Sequence, residues 1–275
     1  MAQPHWESMV RANDQWNYFI GNSQAPEGWH ESTFDDGSWN TDKGSFGFGD
    51  DDDTTVLNIP YSLYIRHTFA VEDISGIDSL ILDIDYDDAY VAYLNGTPVS
   101  RSHNVDTDFP PYNYTPGVDQ EALMYSGGLP SRVAVPKDLL QDGDNVIAIQ
   151  GINVNPTSSD FSLAPFLQVK IHAASTVYHE VPEWFADPDA VFESNLPIIA
   201  IETQGQNIPD EPKITAHMGI VDNEGAMNEF PGTFNDYDGQ IGIERRGASS
   251  QQVYPKIGYG LETRLAGGEN NNVSV

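Results

Sequence analysis

Hard oxygen donors are the most concentrated chemistry in this 275-residue chain. Asp50, Asp51, Asp52 and Asp53 stand in one run, and Asp87 and Asp88 close a second acidic stretch that begins at Asp83. Carboxylates gathered in this way suit Ca²⁺, which takes about six to eight oxygen ligands, so these six aspartates are the candidate ligands of a structural Ca²⁺. The first run lacks the spaced acids and terminal Glu of an EF-hand loop, and a solvated acidic surface is the alternative reading. A second constellation lies in the Pro-, Tyr- and Asn-rich connection at residues 100–131. There Arg101, His103, Asn104, Asp108, Tyr112 and Tyr114 combine planar polar groups with aromatic faces, the composition of a surface for polysaccharide or cell-surface glycan. Loops of this length in compact domains are usually functional or mobile. Lys256, which follows Gly247-Ala248-Ser249-Ser250, is chemically suited to hold phosphate oxygens, and the turn before it can present backbone N–H groups to an anion.

Other chemistries lack their residues. The seven histidines are dispersed, with neither His-x-His nor HExxH spacing, and no G-x-S-x-G elbow occurs. Four aspartates follow the glycine-rich run Gly44–Gly49, which argues against a phosphate cradle there. Carboxylate pairs are too abundant for a glycosidase assignment to rest on them without geometry. Forty-two Asp and Glu against 12 Lys and Arg leave a formal charge of −30, which argues against nucleic acid and anionic membranes as partners. No apolar run approaches the roughly 20 residues needed to span a bilayer. The chain has no cysteine, hence no disulfide and no thiolate metal site. Met1-Ala2-Gln3 reads as an initiator standing where a bacterial signal peptide was removed, so the expected location is secreted or cell-surface.

The elements that must position these groups alternate with a period of two. Leu80, Leu82 and Ile84 form one half-buried strand and Tyr90, Ala92 and Leu94 another, with an acidic turn at residues 85–88 between them and an Asn95–Gly96 hairpin turn after them. Leu63 to Val71 alternates as well. Within it, His67 is expected to be a hydrogen-bonded core histidine and Arg66 the partner of a carboxylate. Val146, Ala148, Gln150 and Ile152 give a further strand, and a closing strand lies between Phe161 and Ala173. Trp29, Phe34 and Trp39 are expected to cap the end of a sandwich core. The segments GWHESTFDDGSWNTDKGSFGFG, DDAYVAYLNGTPV and LLQDGDNVIAIQGIN resemble, in this order, the motifs of galactose-binding-like jelly rolls, the sugar-binding domains appended to many secreted glycosidases. The resemblance covers approximately residues 13–173. It implies an antiparallel β-sandwich with any ligand site on loops or a sheet face.

The pattern breaks at residues 176–193, a Pro-containing connector with Trp184 and Phe185 as anchors. Beyond it, Leu196 to Thr203 reads as a buried β-branched strand, followed by strands at 213–222 and 239–246. SNLPIIAIETQGQNIPDEPKITAHMGIV and DYDGQIGIERRGASSQQVYPKIGYGLETR resemble the N-terminal part of CotH-type proteins, atypical kinases first associated with spore coats. That resemblance implies a nucleotide-binding lobe with Lys256 as its phosphate contact, and catalytic carboxylates beyond residue 275. The expected organisation is therefore a jelly roll at 1–175, a linker at 176–193 and a partial, β-rich CotH-like lobe at 194–275. The expected function is a carbohydrate-binding or surface-attachment module that is not catalytic by itself. The alternatives are the substrate-positioning front end of a CotH-type kinase and a purely structural surface module. Strand edges in the last segment are candidate sites of self-association.

Overall fold

The structure, a computed structural model, describes residues 3–204, 206–247 and 258–271. The chain divides into two compact units, Met1–Phe185 and Ala186–Val275. The first carries β1 (Pro4–Val10), β2 (Gln15–Gly21), β3 (Asn40–Lys43), β4 (Phe46–Phe48), β5 (Thr55–Val56), β6 (Ser62–Val71), β7 (Ile77–Asp87), β8 (Ala89–Leu94), β9 (Thr97–Arg101), β10 (Ser131–Val135), β11 (Gly143–Ile152) and β12 (Phe161–His172). Among the described residues these form two six-stranded sheets. One runs β10-β7-β12-β4-β5 with β1 also paired to β12, and the other runs β3-β2-β6-β11-β8-β9. All pairings are antiparallel except β4 with β5.

The period-two alternation explains the sandwich. Leu80, Leu82, Ile84, Leu163, Leu167 and Val169 of the first sheet meet Leu63, Ile65, Ala92, Leu94, Ile147 and Ile149 of the second in one core. Each fully buried side chain of this size contributes about 1.5–3 kcal/mol. The second sheet is covered on its other face too. There Tyr64, Val91, Tyr93 and Ala148 pack under Trp29 and Trp39, so these indoles, with Phe34 against them, do not cap the end of the inter-sheet core. Arg66 explains the difference. It is 2% exposed, and its guanidinium pairs with Asp36 at 2.8 Å and donates to the carbonyls of Trp29, Glu31 and Phe34, which draws the whole aromatic loop onto the sheet face. His67 bonds the Gln15 carbonyl through Nδ1 at 2.9 Å and lies against Trp16.

One local feature differs from the sequence reading. The stretch at 85–88 is not a turn within a hairpin: β7 continues to Asp87, and the chain passes at Asp88 from the first sheet into β8 of the second. The Asn95–Gly96 turn does close a hairpin, between β8 and β9, with both residues at positive φ (51° and 89°) as this turn requires. Asn95 Oδ1 accepts from the Val146 N–H and its Nδ2 donates to Asn145 Oδ1, which ties the turn to β11. Residues 176–185 pack on the first unit. The Glu7 carboxylate accepts the N–H groups of Val177 and Tyr178, Ser8 and His179 exchange backbone hydrogen bonds, Trp184 meets Phe166 edge-to-face at 5.0 Å and Phe185 lies tilted against Trp6 at 5.6 Å.

The second unit carries β13 (Phe192–Ser194), β14 (Ile198–Glu202), β15 (Ile214–Val221), β16 (Asn228–Phe230), β17 (Tyr237–Arg246) and β18 (Gly258–Arg264). The antiparallel sheet β14-β15-β17-β18 buries Met218, Ile220, Ile241 and Ile243. Among the described residues β14 is an edge strand rather than a buried one, pairing with β15 alone; Ile198 is buried whereas Ile199 and Ile201 are exposed.

Candidate metal centre and binding surfaces

Every second residue of β7 points away from the inter-sheet core, and the three that do so near its end are Asp83, Asp85 and Asp87. All three are buried, because the 176–185 segment and the loops at 50–54 and 118–126 lie around that face. A buried carboxylate needs a partner, and the surroundings of the three differ. Asp83 faces Arg132 of β10 in a two-pronged pair, Nε to Oδ1 at 2.7 Å and Nη2 to Oδ2 at 3.1 Å, and the guanidinium also lies over the Phe185 ring. Asp85 accepts the N–H groups of Leu123 and Met124 at 2.8 and 2.9 Å. Asp87 is 2% exposed, and its Oδ1 is sealed from solvent with no hydrogen-bond partner.

What surrounds Asp87 is more carboxylate. One oxygen each from Asp87, Glu121 and Asp160 lie within 4.8 Å of one another. Burial, then the charges of Asp88, Asp160, Glu121 and Asp50, push the Asp87 carboxyl up to about 8. Glu121 and Asp50 are raised as well, by burial and then by Asp160. Such a cluster is repulsive unless protons or a cation neutralise it. Two oxygens bound to one Ca²⁺ at about 2.4 Å can be no more than about 4.8 Å apart, so the three oxygens are close enough to share one ion. The donor set is oxygen alone, which suits Ca²⁺ rather than Zn²⁺. Asp50 Oδ2 and Asn104 Oδ1 are also enclosed without partners.

The six aspartates proposed from sequence thus part company. Asp87 enters the triad, and Asp50 acts on it electrostatically. Asp88 is engaged elsewhere: its Oδ2 accepts the Val154 N–H at 2.7 Å. Asp51 is exposed at φ 62°, while Asp52 and Asp53 line a separate cleft. Glu121 and Asp160, the two candidate ligands that sequence reasoning missed, come from loops distant in the chain. Glu121 sits inside the stretch read as glycan-binding, and Asp160 immediately precedes β12.

In the 100–131 connection, most of the named groups hold the loop itself. Arg101 pairs with Asp108 and donates to the Val105 carbonyl, and the Tyr114 hydroxyl donates to Asp106 at 2.8 Å. Asn104 Nδ2 reaches the carbonyls of Asp88 and Val118. Tyr112 and Tyr114 pack against the outer aromatic cluster, and His103 is exposed. Beside them opens a cleft of ≈ 320 Å³ between Trp29, His30, Tyr93 and Phe109, with Gln24, Glu27 and Gln150 on its walls. His30 stacks on Tyr93 at 4.9 Å and Phe109 stacks on the same ring at 5.7 Å. Burial lowers the His30 pKa and favours its neutral form. Lys256 and residues 248–250 lie outside the described residues.

No family model and no curated protein matches this sequence. Among solved structures the chain is similar to a Bacteroides uniformis β-glucuronidase, with a TM-score of 0.41 and 13% identity over 78% of this chain and 22% of that one. It is similar to a β-glucuronidase from glycoside hydrolase family 2 at 0.41 and 13%, over 96% and 31% of the two chains. For the Bifidobacterium dentium β-glucuronidase the values are 0.40 and 10%, over 94% and 48%. The chain spans less than half the length of each of these structures. Likeness at this level carries no inference about function.

Proposed function

We propose that this protein is a secreted or cell-surface glycan-binding module whose sandwich is braced by a structural Ca²⁺ held by Asp87, Glu121 and Asp160. The observation that carries the reading is Phe109, 59% exposed and stacked on Tyr93 at the mouth of the aromatic cleft. Pockets of roughly 300–1,000 Å³ with aromatic walls and a few polar groups are typical small-ligand sites. Here an exposed ring offers its face to the C–H face of a pyranose, while Gln24 and Glu27 offer amide and carboxylate groups to its hydroxyls. Ca²⁺ would neutralise the carboxylates where β7, the 102–130 connection and the loop before β12 converge. Phe109 and Glu121 belong to the same connection, so loss of the ion is expected to weaken the cleft.

Calorimetric titration of the full chain against a panel of plant and algal polysaccharides, with Ca²⁺ and with chelator, tests this. Saturable binding that Phe109→Ala weakens at least about tenfold supports it, since aromatic anchors dominate such sites. Absence of binding to every polysaccharide in both conditions overturns it. On the resemblance of residues 194–275, the second unit reads as the opening of a CotH-like lobe, and the module would then position that lobe on a glycan-bearing surface. ATP titration of the full chain and of Lys256→Ala tests that part: binding that the substitution leaves unchanged would remove Lys256 as the phosphate contact.

A further inference from the structure

A second cleft, ≈ 420 Å³, lies on the outer face of the first sheet, within the first unit and apart from the aromatic one. Four carboxylates look into it, Asp52 and Asp53 from the loop after β4, Asp85 from β7, and Glu180 from the packed segment. The cation on its wall, Arg11, is already bound to Asp14 at 3.1 Å. Met124, Ala164, Phe166 and Pro182 give it an apolar side, and Asn13, Ser45 and Thr54 add neutral polar groups. Two acceptors there are unmet. The Ser162 hydroxyl, on a residue 4% exposed, has no hydrogen-bond partner, and both Asp53 oxygens are enclosed without one.

These features select a ligand class. Clefts lined by one sign of charge with low-dielectric walls focus the field, so an anion is rejected and a neutral polyol leaves the charge uncompensated. A single metal ion fits poorly, because the triad around Asp87 is the one group of three such ligand atoms that converges among the described residues. A primary ammonium carries three donors on a compact charged head, and its aliphatic stem can lie along apolar surface. We infer that this cleft binds a primary alkylammonium group, with the head between Asp53, Asp52 and Ser162 and the stem against Met124 and Phe166. The lysine side chain of a polypeptide and a free diamine share this chemistry.

The test is an NMR titration of the full chain in phosphate buffer at about 150 mM salt, where exposed charges are largely screened. The probes are Nα-acetyl-lysine methylamide, 1,5-diaminopentane, the Nε-acetylated lysine analogue and a methyl galactoside. Saturable shifts at the amides of residues 52–54 and 162–166 are expected with both amines and neither neutral probe. Asp53→Asn is expected to weaken binding about tenfold and Ser162→Ala about threefold, the scale of a charged and a neutral hydrogen bond. Tighter binding of the lysine analogue assigns the source to a polypeptide, and tighter binding of the diamine assigns it to a free amine; both support the site. Equal shifts with the Nε-acetylated analogue, amine affinities that neither substitution changes, or the galactoside occupying these residues would each overturn it. Phe109→Ala, which tests the glycan cleft, is expected to leave amine binding unchanged, so the two readings can fail separately.

Discussion

Asp83, Asp85 and Asp87 share one strand face and one degree of burial, yet an arginine, two backbone amides and other carboxylates answer them in turn. Only the last arrangement calls for an ion. We expect Ca²⁺ at one hundred times its dissociation constant to stabilise the protein by about 2.7 kcal/mol in thermal melts, and Asp87→Asn to remove most of that gain while leaving the chelated protein at least as stable as before. A metal response that survives Asp87→Asn would place the ion elsewhere. The pH dependence follows from the same group. Its folded pKa, about 8, lies above its unfolded value, so its contribution is fully present below about pH 4 and is lost as pH rises towards 8. Asp53, raised to about 7 by burial and by Asp52 and Asp50, acts in the same direction. The chelated protein should therefore melt at lower temperature at pH 8 than at pH 5.5, and saturating Ca²⁺ should narrow that difference by holding Asp87 ionised. A melting temperature independent of pH in chelator would contradict the burial of both groups.

At the scale of elements, two contacts decide how loops sit on the sheets. Arg66, on β6, fastens the aromatic loop to the second sheet through one carboxylate and three carbonyls. Arg66→Ala leaves buried acceptors and Asp36 unmatched, and a loss of about 3–5 kcal/mol is expected in urea denaturation. Arg66→Lys should recover little of it, because an ammonium cannot reproduce the planar fork. Gly47, in β4, lies so close to β12 that an added Cβ would stand 2.1 Å from both the Phe161 carbonyl oxygen and Asp53 Oδ2. Backbone cannot yield cheaply there, so Gly47→Ala should cost about 1–3 kcal/mol and displace Asp53 in the acidic cleft. Unchanged stability would mean that the β4–β12 pairing is looser than described.

For the whole molecule, the division at Phe185 has a direct test. Residues 1–185 retain both sheets, the packed 176–185 segment and both clefts, and should unfold in one cooperative transition with the same Ca²⁺ response as the full chain. A fragment ending at 175 loses the segment that Glu7 and Trp6 hold, and should expose Phe166 and destabilise the outer face. Equal melting temperatures for the two fragments would show that this segment adds nothing. In the second unit, Ile199 and Ile201 are exposed along the edge strand β14, the kind of edge on which strand-to-strand association acts.

Local chemistry was enough to read much of this protein. The alternation of Leu80, Leu82 and Ile84 fixes which side chains enter the core, the Asn95–Gly96 pair fixes a turn, and Arg66, one of 12 cations in an acidic chain, implies a carboxylate partner. Each depends on neighbours within a few residues or on charge balance. Period two, however, fixes the face of a side chain and not the sheet its strand joins, so the passage from one sheet to the other at Asp88 was not legible. For the same reason the alternation could not say which elements cover the outer face of β7, or that β14 would, among the described residues, have a neighbour on one side alone. The convergence of Glu121 and Asp160 on Asp87 joins loops far apart in the chain, and only the tertiary structure, by closing those loops over a buried carboxylate, decides which of 42 acids can share a cation.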